Sequence, residues 1–200
     1  SISLNEFWLK GVGAFENDTL VYAGELTAAV NVMSLFGDGG FEVSKVIVDD
    51  TRLHAIVLED GAVNWDVMKP AEEPTEQVET VAEEESSSSF SVSLKKLTVD
   101  DLTVIYDDRQ GGMYAAINEL DASCSGDMTS DNTTISLKAQ TPGVSFRMSG
   151  VPFLNKAKVG VKMDVAADLK NMKFTLEENE FSLNAIKAAV DGWVAMTEAG

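Results

Sequence analysis

Two hundred residues with 44% hydrophobic content are enough for one or two domains with an apolar core that needs no covalent staples. Acidic residues number 33 against 15 basic ones, a formal charge of -18 and a pI near 4.2, so a phosphate backbone meets net repulsion and nucleic acid is excluded as a partner. The single cysteine, Cys124, excludes an internal disulfide and a cysteine-rich metal site, and reads as a small buried apolar side chain.

Ile2 and Leu4 alternate from the outset, which sets the start of the sequence inside a strand and reads both ends as cuts through a longer protein. Leu20, Tyr22, Leu26, Ala28, Val30 and Val32 fall on one face of a long strand, opposite Glu25, Thr27 and Asn31. Met33 to Phe36 is expected to add one helical turn before Gly37, Asp38, Gly39 and Gly40 interrupt the chain. The apolar run from Leu53 to Leu58 carries the only histidine, His54, and ends at the turn residues Glu59, Asp60 and Gly61. From Lys69 to Ser89 the composition shifts to Glu, Pro, Thr and Ser, with too little apolar area to offset the entropy of ordering. The chain therefore divides into a first β unit over 1–69, an acidic Ser/Glu-rich disordered linker or loop over 70–89, and a second β unit over 90–200 that packs with the first.

The second unit repeats the alternation in Ile135, Leu137 and Ala139, in Val144, Phe146 and Met148, in Val159, Val161 and Met163, and in Met172, Phe174 and Leu176. Lysines and serines take the wet positions between them, and Gly111-Gly112, Ser130 to Asn132 and Thr141 to Gly143 supply turns. Ser182 to Val190 is read as strand rather than short helix, because Ile186, Ala188, Val190 and Val194 also alternate. Phe41, Val43, Lys45, Val48, Asp49 and Asp50 are echoed by Phe90, Val92, Lys96, Val99, Asp100 and Asp101, which points to two related halves. The fold class is mainly β with little helix, a long antiparallel curved sheet or groove, taco-like or sandwich-like. No run reaches the ~20 apolar residues of a membrane span and no basic, apolar signal region opens the chain, so an anchor is expected outside these residues.

Catalytic chemistry has few candidates. His54 lies among apolar neighbours with no nucleophile and orienting group to complete a constellation, and is assigned no role. The pairs Asp49-Asp50, Asp100-Asp101 and Asp107-Asp108 put adjacent carboxylates on opposite faces of a strand and read as strand-end corners. The oxygen-rich loop from Gly126 and Asp127 to Asn132 lacks the alternating acids, central glycine and terminal glutamate of a calcium loop, and reads as a turn. No enzymatic activity, catalytic residue, metal or cofactor is expected. A glycan-processing enzyme would need two carboxylates converging on a cleft, with Asp107 the residue to test.

Asp60-Gly61, Asn64, Trp65 and Asp66, following strands, resemble the Asp-Gly-x-x-Asn-Trp-Asp signature of the AsmA family of bacterial envelope proteins. Tyr106 to Arg109, Gly126-Asp127, Gly150 to Leu154, Asp168 to Phe174 and Asn179 to Asn184 are similar to a branch of that family, so the resemblance spans almost the whole chain. Ala185 departs from it, standing where an acidic residue is expected. The resemblance implies an inner-membrane helix followed by a periplasmic body of repeated β units, related to bridge-like proteins that carry phospholipid along an apolar trough, with roles in outer-membrane assembly and lipid homeostasis. From the residues themselves, Gly61 supplies a turn, and Asn64 and Trp65 are structural, with Trp65 plugging the sheet.

Apolar strand faces in excess of any helix able to cover them have two physical outcomes. They line a groove for phospholipid acyl chains, with Phe146, Met148, Val159, Val161 and Met163 the expected contacts, or they pack against each other in a closed sandwich that docks other envelope proteins.

Overall fold

The computed structural model describes residues 1–30, 43–67, 95–126 and 131–196. Alternating apolar and polar side chains favour extended backbone throughout, and the elements are strands: β1 (Ile2–Lys10), β2 (Thr19–Val30), β3 (Val43–Val57), β4 (Lys96–Asp108), β5 (Met113–Ser125), β6 (Asn132–Met148), β7 (Val151–Asp168), β8 (Lys173–Leu183), β9 (Ile186–Ala188) and β10 (Gly192–Ala195). A single 3-10 turn, Gly13–Phe15, joins the first two and buries Phe15. The strands form one open curved sheet in sequential order from β1 to β8, with β9 and β10 both paired to β8.

Turn chemistry accounts for the hairpins. Asp108 Oδ1 accepts the Gly111 N–H at 2.7 Å before Gly112 turns left-handed at φ 66°, and Asp168 Oδ1 accepts the Asn171 N–H at 3.0 Å before Met172 does the same at φ 47°. Between β6 and β7, Ser149 and Gly150 both have positive φ, the turn that matches the twist of paired strands.

Two features differ from an antiparallel meander. β3 and β4 pair in parallel, with Lys45 beside Lys96 at one end and Val57 beside Asp108 at the other. The two copies of the echoed pattern thereby lie side by side, with Val48 beside Val99 and Asp49 beside Asp100. The expected strand after Ser182 is present as two short pieces: β8 ends at Leu183, and β9 and β10 follow. Asn179 bridges the gap between these pieces, its side-chain amide donating to the Val190 carbonyl and accepting the Val190 N–H, each at 2.7 Å.

The described residues form a single sheet rather than two opposed ones, so the closed sandwich is not the arrangement found. The core is correspondingly thin, comprising Phe15, Ala23, Ile56, Val57, Val99, Ala116, Ala157 and Ala167. Cys124 is half-buried on β5 rather than enclosed, since no second layer covers the sheet among the described residues. The helical turn expected at Met33 to Phe36, the glycine turn after it, the 70–89 linker and residues 127–130 of the oxygen-rich loop lie outside the described residues.

Candidate functional site

Strand register converts the sequence alternation into rows that cross the sheet. Leu4, Leu26, Val48, Val99, Ala122, Ala139, Val161, Phe181 and Ala188 are directly opposed neighbours on successive strands, an apolar row from one edge to the other. Beside it run Ile2, Ala28, Val46, Leu97, Cys124, Leu137 and Met163. The alternate positions are polar: Glu25 faces Asp49, which faces Asp100, and Ser123 faces Lys138, which faces Lys162. One face of this half of the sheet is therefore apolar across its whole width, and no helix or second sheet lies over it among the described residues.

Left-handed residues divide this band from a second one. Glu6, Asp50, Asp101, Glu119, Lys156 and Glu178 have φ between 40° and 51° in the middle of their strands. Such a residue does not advance the side chain by the half-turn of an extended one, so the alternation changes phase there. Val46 and Val48 precede Asp50, whereas Leu53, Ala55 and Val57 follow it; Leu97 and Val99 precede Asp101, whereas Leu102 and Val104 follow it. Beyond the break the apolar row is Leu9, Val21, Leu53, Val104, Ile117, Val144 and Ala157. In β2 the change falls at Gly24, where an added Cβ would stand 2.9 Å from the Asp50 Cβ, so Tyr22 sits beside Trp8 and Arg52 while Leu26 keeps apolar partners.

The five expected contact residues fall into both bands. Val161 and Met163 sit in the two rows of the first, and Val159 lies between Thr141 and Leu183 at its margin. Phe146 and Met148 are at the far end of β6, with Phe146 against Phe153 at 5.7 Å between ring centroids and Met148 47% exposed at the hairpin tip. The structure therefore does not gather the five into one spot.

The Asp60 to Asp66 segment closes the end of β3. The Val57 carbonyl accepts the Arg109 N–H next to β4, so by strand alternation the Ile56 and His54 carbonyls point to the other edge, where β2 has already ended. Asp60 Oδ1 accepts the Ala62 N–H, Gly61 takes φ 86°, and the chain turns back to deliver Asn64 onto that bare edge. Asn64 Oδ1 accepts the Ile56 N–H at 2.8 Å, its amide donates to the His54 carbonyl at 2.6 Å, and it is fully buried. Asn64 thus does the plugging expected of Trp65, which is 45% exposed: a carboxamide matches the donor and acceptor of a strand edge and an indole does not. Asp66 is exposed. Asp107 is engaged with Arg109 at 3.0 Å rather than directed at a second carboxylate.

A single open sheet that carries apolar bands on one side, with an Asn-sealed corner at the end of its third strand and no second layer over those bands among the described residues, defines a class of extended β protein. A model of the AsmA family matches residues 1–189, and the chain belongs to that family, whose setting is the cell envelope. No curated protein and no solved structure matches it. No helix of the described residues is long and apolar enough to cross a membrane.

Proposed function

We propose that this chain is a periplasmic, non-enzymatic portion of an AsmA-like protein tethered to the inner membrane, and that its apolar bands hold phospholipid acyl chains during outer-membrane assembly and lipid homeostasis. The observation carrying this reading is the apolar row from Leu4 to Ala188, nine strands wide and without a covering layer among the described residues. Apolar area of that extent favours contact with something other than water. Acyl chains suit a surface that is apolar along its length and offers no fixed polar partners within the row. Docking of another envelope protein onto the same band is the competing reading, favoured by the large apolar side chains exposed at the C-terminal edge, Ile186, Trp193 and Val194.

Native mass spectrometry after incubation with phospholipid vesicles separates the two. Phospholipid adducts on the native chain that are lost on Val161→Asp support acyl binding, and a clean apo mass from a folded chain refutes it.

A further inference from the structure

We propose that a cleft on β1 to β4, on the face turned away from the second apolar band, binds a phosphate ester carrying a hydroxylated ring. Trp8, Tyr22, Arg52 and Thr103 are directly opposed on four successive strands, and they alternate with Leu9, Val21, Leu53 and Val104 of the apolar row, so they project from the other side. Lys10 stands opposite Thr19 after a register shift in the β1–β2 pair, and His54 stands beside Ile105. Together these residues line a cleft of about 580 Å³.

Charge sets this cleft apart. The chain has 33 acidic residues against 15 basic ones, yet the lining holds Lys10, Arg52 and the only histidine, with no carboxylate among its residues. Neither Lys10 nor Arg52 makes an ion pair within the described residues. A planar guanidinium and an ammonium converging on one space recognise phosphate, the first through its two-pronged fork and the second as a point charge. Trp8, 60% exposed, and Tyr22 add aromatic rings to the same lining, and an aromatic ring is a surface on which a sugar-like ring stacks its C–H groups. The ligand chemistry is thus a ring with hydroxyl groups and an attached phosphate, shared by the head of a membrane lipid and a free sugar phosphate.

Calorimetry with glucose 1-phosphate, and co-sedimentation with phosphatidylcholine vesicles containing phosphatidylinositol phosphate, test it. The expected result is binding of at least one probe that falls about tenfold or more on Arg52→Gln, a loss of the size a charge-assisted hydrogen bond supports. Lys10→Gln and Trp8→Ala should each weaken it too, which keeps the test independent of any folding defect in one variant. Arg147→Gln, which removes an arginine stacked over Tyr114 on the fifth strand, should leave it unchanged. Vesicle binding alone identifies a lipid head as the source and glucose 1-phosphate binding alone a soluble ester. Absence of binding to both, or equal weakening by Arg147→Gln, overturns the proposal. Val161→Asp lies three strands beyond β4 and should not affect this site, so failure here is distinguishable from failure of the acyl-chain reading.

Discussion

Asn64 carries more of the fold than any other side chain in the family signature, because it satisfies both a donor and an acceptor of a strand edge that would otherwise be buried without partners. Replacing it by alanine leaves the Ile56 N–H and the His54 carbonyl unpaired, and Asn64→Ala should lower stability by about 2–4 kcal/mol in urea or thermal unfolding, on the cost of stranding buried polar groups. Trp65→Ala, at an exposed position, should cost far less. Asp168 gives a second expectation at this scale. The Asn171 side-chain amide, at 2.6 Å, and then the Asn171 N–H donate to its carboxylate and hold its pKa below the ordinary value. The folded value therefore lies under the unfolded one, so the contribution is present above the ordinary carboxylate pKa and is lost as pH falls through the folded value. Resonances of the 168–173 turn followed by NMR should titrate below the ordinary carboxylate value, and Asp168→Asn should remove that transition.

Strands are held together by what faces what, and some facing pairs are unfavourable. Glu25, Asp49 and Asp100 are directly opposed on three adjacent strands, and like charges in that position repel. Asp49→Lys converts two repulsive neighbours into two attractive ones and should stabilise the sheet by about 0.5–1 kcal/mol in dilute buffer. The gain should shrink at about 1 M salt, where the screening length falls to about 3 Å. Hairpin elements were legible in the sequence: Gly111-Gly112 and the alternating runs on either side specify a local turn. The parallel β3–β4 pair was not, because pairing across a long intervening segment depends on which strand edge is free rather than on any nearby residue. The phase change at the left-handed residues shows in the sequence only as an odd-numbered step between apolar positions, from Val48 to Leu53 and from Val99 to Leu102.

Across the whole molecule, the apolar bands are wide and the enclosed core is small, so the sheet has little to lose internally when one band residue is changed. Val161→Asp should leave the β circular dichroism signal intact while cutting phospholipid adducts by about tenfold or more, since a carboxylate in contact with acyl chains is strongly disfavoured. The cleft of Trp8, Lys10 and Arg52 belongs to this scale as well, since its walls come from separate strands and exist only once register has been set.

By itself the sequence determined that the chain is β, where several of its hairpins turn, that one side of its strands is apolar, and that it resembles the AsmA family. These follow from side-chain period and turn chemistry, which act over a few residues. Tertiary structure alone decided that the strands make one open sheet, that the two echoed segments lie parallel and in register, and that Asn64 rather than Trp65 seals the corner. Those outcomes depend on hydrogen-bond edges meeting across long stretches of chain, and local pattern does not encode which edge remains free.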